Sequence, residues 1–227
     1  MRIGIFADVH GNIYAFEKVL KELRKESCDT YIFVGDICGY YYYQNEVIGM
    51  LKEIRGLVCV AGNHDKLFLD MCEDHQLEEA YTKQYGSSCR MLRENITEDS
   101  LNFLKALPQE YVLEEYRIVV FHGSPWNRLD EYVYPTDSLD KFKELPYNFI
   151  LLGHTHYPMY REINARHIIN PGSCGQPRDC NKPSYATLDV ETRKVNFIRV
   201  EYDVDVLIKD VIGRSETNKY LVDVLRR

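Results

Sequence analysis

The sequence predicts an α/β protein in which loops from several strands converge on one polar site. Two observations carry that prediction. Five short, apolar, β-prone runs each stop abruptly at a cluster of small and metal-capable residues, and helical periodicity separates the first three of them. Strand, helix, strand, helix, strand is the order that right-handed crossovers convert into parallel pairing, and in such sheets ligands gather beyond the carboxyl ends of the strands.

The first run is Ile3 to Ala7, ending in Asp8-Val9-His10-Gly11-Asn12, and the second is Tyr31 to Val34, ending in Gly35-Asp36. Leu57 to Ala61 ends in Gly62-Asn63-His64-Asp65, Ile118 to Phe121 in His122-Gly123-Ser124-Pro125, and Phe149 to Leu152 in Gly153-His154-Thr155-His156. Between the first two, Ile13 to Lys25 carries Ala15, Phe16, Val19, Leu20 and Leu23 at the spacing of one helical face; Glu46 to Glu53 offers a shorter helix. Asn12 could cap the first helix or support the site by hydrogen bonding.

Lys66 to Leu107 lacks strand alternation and is expected to hold two or three helices, an insertion or cap, with Thr97 as N-cap of the last. Short strands return at Met159 to Ile163, His167 to Ile169, Tyr185 to Val190 and Val195 to Val200, which implies a second, more antiparallel sheet. Asp203 to Arg227 reads as one or two amphipathic helices broken near Gly213. With no internal repeat, low-complexity stretch or linker, a single domain over residues 1–227 is expected.

The clusters offer two carboxylates, one amide and four imidazoles besides His64, a donor set suited to first-row divalent metals. A lone Asp or His after a strand commonly caps a helix or closes a turn, but five such blocks in order do not read that way. Asp8-x-His10, Gly35-Asp36, Gly62-Asn63-His64-Asp65, His122 and Gly153-His154-x-His156 resemble the signature of the calcineurin-like metallophosphoesterase superfamily. Asn170-Pro171-Gly172-Ser173 and Gly175-Gln176-Pro177-Arg178-Asp179 extend the likeness to its bacterial and archaeal small phosphoesterases, some related to diadenosine tetraphosphatases.

That resemblance implies a four-layer αββα sandwich of two mixed sheets and a phosphoesterase acting on small molecules. It also implies two divalent transition-metal ions, of manganese, iron, zinc, nickel or cobalt. Asp8, His10 and His156 would hold the first metal and Asn63, His122 and His154 the second, with Asp36 bridging them. A bridging carboxylate keeps such cations roughly 3.5 to 4 Å apart, where both can face one phosphate and activate a water. His64 is the imidazole left over, suited to be the general acid; the alternative is a histidine that caps its loop.

Arg178 could clamp a phosphate oxygen or form a surface salt bridge. Tyr40 and its three following tyrosines, and Trp126 beside His122, could stack on a nucleobase or simply pack loop against cap. His75 and His167 lie outside every motif and are expected on the surface.

With 45% hydrophobic and 28% charged residues the chain is expected to fold, and 28 Lys and Arg against 35 Asp and Glu leave it at −7 with no basic stripe. Long nucleic acids are therefore poor partners, which weighs against a nuclease. A small phosphoester, with nucleotides and dinucleoside polyphosphates favoured, is the expected substrate, and a protein serine/threonine phosphatase is the other enzymatic reading. A non-catalytic scaffold on the same fold would show eroded ligands, whereas all seven and His64 stand here. Seven cysteines without paired spacing read as reduced thiols, and the short apolar start and absence of a membrane span suggest a cytoplasmic protein. The oligomeric state is not legible.

Overall fold

The computed structural model describes residues 1–227. Strands β1 (Arg2–Phe6), β2 (Thr30–Phe33) and β3 (Leu57–Cys59) pair in parallel, joined by helices α1 (Ile13–Leu23) and α2 (Gln44–Lys52). The five apolar residues of the α1 stripe are all buried, as the periodicity requires. Asn12 serves both of its expected purposes at once: its Oδ1 accepts from the Ala15 amide at 3.1 Å, and its Nδ2 donates to the Gly175 carbonyl at 2.7 Å.

Four helices follow rather than two or three: α3 (Asn63–Glu73), α4 (Leu77–Tyr85), α5 (Ser88–Asn95) and α6 (Glu98–Ala106). The first begins inside the Gly62-Asn63-His64-Asp65 block, and Gly86, at φ +93°, separates α4 from α5. Thr97 caps α6, accepting from the Ser100 amide at 3.1 Å.

Strand β4 (Glu110–Leu113) was not foreseen, because an edge strand half exposed to water carries little apolar signal. After it come β5 (Ile118–Phe121), β6 (Phe149–Leu151), β7 (Pro158–Ile163), β8 (Arg166–Pro171), β9 (Ser184–Asp189) and β10 (Lys194–Arg199). Helices α7 (Val204–Gly213) and α8 (Tyr220–Asp223) close the chain, with the break at Gly213 where the sequence put it.

The strands form two mixed sheets, ordered β10-β9-β1-β2-β3 and β4-β5-β6-β8-β7. The four C-terminal strands therefore do not build a sheet of their own. Only β7 and β8 join the second sheet, while β9 pairs antiparallel with β1, Arg2 opposite Asp189, giving that strand a partner on its open side.

Period-two alternation makes the sandwich. Ile3, Ile5, Ile32, Val34, Ile118, Val120, Phe149, Leu151 and Ile169 pack between the sheets. Phe6 and Phe33 point the other way, into the helices that cover the first sheet. Val119, Phe121 and Ile150 point outward under Val133, Leu139 and Phe142, so the fourth layer of the αββα order is a thin one containing a single 3-10 turn.

His167 corrects an expectation. It lies on β8 with only 3% of its surface exposed, stacked between Phe149 and Tyr160 with Nδ1 hydrogen-bonded to the Tyr160 hydroxyl at 2.9 Å, whereas His75 is exposed. An imidazole on an interior strand is buried by its register, whatever its polarity.

The C-terminal segment is clasped to the inserted helices. Glu216 Oε2 accepts from the Ser87 amide at 2.8 Å and hydroxyl at 2.6 Å, and the Tyr41 hydroxyl donates to the Leu221 carbonyl. No helix is long and apolar enough to cross a membrane.

Candidate metal centre

Asp8 and His10 follow β1, Asp36 follows β2, and Asn63 follows β3, all in the first sheet; His122 follows β5, and His154 and His156 follow β6 in the second. The carboxyl ends of strands in both sheets thus meet at one place. Turning the chain sharply there costs backbone strain: Asp8, His10, Asp36, His154 and His156 all sit in the left-handed region, with φ between +50° and +66°. Such conformations cost about 1–2 kcal/mol each for a residue with a Cβ and persist where surroundings over-determine them.

Those surroundings are visible. The Asp65 carboxylate, from the third position of α3, accepts from four backbone amides: Asp36 at 3.1 Å, Ile37 at 2.9 Å, Cys38 at 2.8 Å and Gly62 at 2.9 Å. It ties the Asp36 loop to the start of α3. Gly62 is required at this junction, because a Cβ there would collide with the Asp36 carboxylate.

Three of the imidazoles are oriented by backbone carbonyls. Nδ1 of His10 meets Cys38 O at 2.7 Å, Nδ1 of His122 meets Val34 O at 2.7 Å, and Nδ1 of His156 meets Gln176 O at 2.6 Å. A carbonyl only accepts, so each Nδ1 carries the hydrogen, and the ring in its neutral form offers an Nε2 lone pair.

These lone pairs point at one another and at oxygens. His10 Nε2 is 3.0 Å from His156 Nε2, His122 Nε2 is 3.1 Å from Asn63 Oδ1 and 3.2 Å from Asp36 Oδ2, and His156 Nε2 is 3.6 Å from Asp8 Oδ1. Asp8 Oδ2, Asp36 Oδ2 and His154 Nε2 are buried with no hydrogen-bond partner. A buried cluster in which acceptors face acceptors is costly unless cations sit among them. Ligand atoms of Asp8, His10, Asp36 and His156 lie within 4.8 Å of one another, and those of Asp36, His122 and His154 form a second such group, so Asp36 belongs to both. The residues fit two divalent cations, and nitrogen with carboxylate and amide oxygen suits the first-row transition metals.

The electrostatics agree. Burial, with His122 adding to it, pushes the His154 imidazolium down to about 3, and burial holds His10 and His156 well below the usual histidine range, so all three rings are neutral. Burial pushes Asp8 up to about 8. At His122 burial works against protonation, yet Asp36 draws it up to about 9, a proton taking up charge compensation that a cation supplies more fully.

His64 stands at the edge of this cluster, 5% exposed, its ring meeting His10 edge-on at 5.0 Å and its amide donating to Asp36 Oδ1 at 2.9 Å. Burial pushes it down to about 4. Arg178 is half-buried; Nη2 donates to the Tyr40 hydroxyl at 3.3 Å, Nε has no partner, and no carboxylate pairs with the guanidinium. Its salt-bridge reading is therefore set aside.

Tyr40 is no open stacking platform, because its ring is enclosed by His10, His64, Tyr85 and Tyr220. Tyr41, Tyr42 and Tyr43 likewise pack on the C-terminal segment, the first through Leu221 and the others under Arg214. Trp126 packs edge-on against Phe142 beneath Lys141 rather than on a site histidine. The ring that does stack there is Tyr132, at 3.9 Å from His154, with Tyr134 stacked behind it at 5.5 Å.

Sequence reasoning thus missed Asp65, Tyr132 and Tyr81, whose hydroxyl lies 2.7 Å from His64 Nδ1. Asp65 could have been found, since it stands in the quoted block three residues after a helix-opening glycine. The two tyrosines lie in no motif.

The profile of the calcineurin-like phosphoesterase superfamily domain matches residues 1–193. An uncharacterized protein of Methanocaldococcus jannaschii is 29% identical over 92% of this chain and 91% of its own length. A phosphodiesterase of the same organism is 22% identical over 88% of this chain and all of its own. The crystal structure of a metallophosphoesterase from Sphaerobacter thermophilus superposes over 100% of this chain and 99% of its own, with a TM-score of 0.83 and 27% identity.

Proposed function

Because the chain belongs to the calcineurin-like phosphoesterase superfamily, we propose that it hydrolyses phosphate esters or anhydrides of small molecules, with nucleotides and dinucleoside polyphosphates favoured. The observation that carries this reading is the buried cluster of facing lone-pair atoms, in which His10 Nε2 meets His156 Nε2, His122 Nε2 meets oxygens of Asn63 and Asp36, and Asp8 Oδ2, Asp36 Oδ2 and His154 Nε2 have no partner. Asp8, His10 and His156 would hold one divalent cation, Asn63, His122 and His154 a second, and Asp36 both. Two cations so held supply Lewis-acid charge against a phosphate and make water a nucleophile at neutral pH.

The protein's own groups do the rest. His64, tethered beside the ligands through its amide, donates a proton to the leaving-group oxygen. Arg178, a half-buried guanidinium with no anion of its own, would hold phosphate oxygens, and the Tyr40 hydroxyl orients it. Asp8, His10, Asp36, His122 and His156 are all buried, and charge interactions strengthen away from bulk water.

Preference for nucleotides is supported by the combination of Arg178 with the exposed Tyr132 and Tyr134 rings at the mouth beside His154, a pairing of cation and flat aromatic surface that suits a phosphate attached to a base. A net charge of −7 disfavours long polyanions.

The test is a substrate panel with product identification by mass spectrometry. It is run on protein reconstituted with manganese, iron, zinc, nickel or cobalt, with Asp36→Asn as the inactive control. Activity confined to phosphopeptides removes the nucleotide preference, and no hydrolysis with any metal removes the reaction.

A further inference from the structure

The histidines of the site fall into two kinds by what their Nδ1 atoms meet. His10, His122 and His156 face backbone carbonyls, which leaves Nε2 free to offer a lone pair. His64 Nδ1 faces the hydroxyl of Tyr81 at 2.7 Å, and a hydroxyl, unlike a carbonyl, has a hydrogen to give.

We propose that Tyr81 is a positioning residue for the reaction: its hydroxyl donates to His64 Nδ1 and holds the ring in the tautomer that presents Nε2–H to the leaving-group oxygen, and as that proton passes to the leaving oxygen the hydroxyl proton of Tyr81 follows onto Nδ1, so the ring stays neutral and the phenol is reprotonated from solvent. The proposal rests on the reading of His64 as proton donor. The direction of the bond follows from chemistry. A phenol is a better donor than the N–H of a neutral imidazole, and an imidazole lone pair is a better acceptor than a phenol oxygen, so O–H···N is the stronger arrangement.

The fold is arranged around this contact. Tyr81 is the only buried residue of α4, and Tyr85, one turn on, lies on the same face. The Tyr85 ring meets His64 edge-on at 4.7 Å, so the helix commits one stripe to a single imidazole. Gly39, at φ +95°, packs against the same ring, where a Cβ would lie 2.6 Å from Nδ1. The amide bond to Asp36 fixes the backbone of His64, and Tyr81 fixes the ring.

The structure thereby gives the inserted helices a task in the chemistry. α4 belongs to the segment between β3 and β4 that carries no proposed metal ligand beyond Asn63 at its start. Losing the hydroxyl should behave as loss of a second contact that orients a catalytic group, a penalty on the order of 10- to 100-fold in rate.

The experiment compares wild type, Tyr81→Phe, His64→Ala and the double variant, each loaded with manganese, on a phenyl and a 4-nitrophenyl phosphodiester. ¹⁵N NMR of the metal-free proteins reads the His64 tautomer directly. Expected are Nε2–H in wild type and mixed tautomers in Tyr81→Phe. Turnover of the phenyl ester should fall about 10- to 100-fold in Tyr81→Phe, against less than about 3-fold for the 4-nitrophenyl ester, whose better leaving group needs less help. KM and bound metal should not change, and Tyr81→Phe should add no loss to His64→Ala. Equal loss on both esters, full additivity with His64→Ala, or Nδ1–H in wild type overturns the proposal. A slow His64→Ala beside a full-rate Tyr81→Phe sinks this inference alone, whereas a full-rate His64→Ala sinks the proton-donor reading beneath it as well.

Discussion

Asp65 offers the sharpest quantitative test, because it has been placed as scaffold rather than ligand. Its carboxylate accepts four buried backbone amides, three of them from the loop that holds Asp36 at φ +65°. Hydrogen bonds to a charged acceptor contribute about 1.5–3 kcal/mol each, and removing the acceptor strands every donor at once, although losses on one loop do not add fully. For Asp65→Ala we expect about 4–6 kcal/mol of lost stability, a large fraction of the 5–15 kcal/mol typical of a folded protein. At about 2–4 °C per kcal/mol for a chain of this length, the metal-free protein should melt roughly 10–20 °C lower. Asp65→Asn keeps one acceptor oxygen but turns an NH₂ toward amide hydrogens, and should lose about half as much. Differential scanning calorimetry measures the first effect. Inductively coupled plasma mass spectrometry measures the second, the fall in bound metal that follows when the Asp36 loop relaxes. An Asp65→Ala protein that melts within about 2 °C of wild type with its metal content intact would refute the reasoning.

Three further outcomes are expected. Asp36→Asn should lose metal yet leave the metal-free protein at least as stable as wild type, because without the carboxylate His122 no longer holds the proton that Asp36 draws onto it, and its freed Nε2 accepts from the new Nδ2 where Oδ2 now faces it at 3.2 Å; a lower melting temperature without metal would contradict this. His64→Ala should retain its metal and lose about 10²- to 10⁴-fold in turnover of a phenyl phosphodiester, so turnover within threefold of wild type would end its assignment as proton donor. Glu216 is half-buried; burial works to raise its pKa, but hydrogen bonds from Ser87 bring it below the ordinary glutamate value. A carboxylate depressed on folding stabilises above its unfolded pKa of about 4.3 and stops doing so as pH falls through its folded value. The difference in melting temperature between wild type and Glu216→Gln should therefore stand at pH 7 and close below about pH 4.

Much of this was legible in the chain, and the limits have physical causes. Strands β1, β2, β5 and β6 announced themselves because interior strands are continuous apolar runs, the edge strand β3 followed from its own short apolar run, and the polar blocks at all five ends had no structural reason to recur. The α1 stripe followed from helical period alone. What periodicity cannot report is which sheet a strand enters, so β9 and β10 were placed beside β7 and β8 although they complete the first sheet. It is equally silent on side-chain partners far apart in the chain. His64 and Tyr81 are separated by a helix and a loop, and His154 and Tyr132 by a 3-10 turn and β6; nothing in either tyrosine's neighbourhood marks it. His167 was misplaced for a related reason, since burial of a lone polar residue depends on register and not on its own chemistry.

The pairing of β1 with β9 bears on how the molecule is made. The opening strand cannot acquire its second neighbour until residues near Asp189 have been synthesised, and the Asp8 carbonyl waits equally long for the Ser173 hydroxyl and the Gly175 amide that brace it. A chain still emerging from the ribosome holds Asp8, His10, Asp36 and Asn63 in sequence but not in space, so ions captured early would be gripped by fragments of the cage. Distant pairings of this kind slow folding and leave one side of β1 open meanwhile, so the centre is among the last parts of the molecule to be completed.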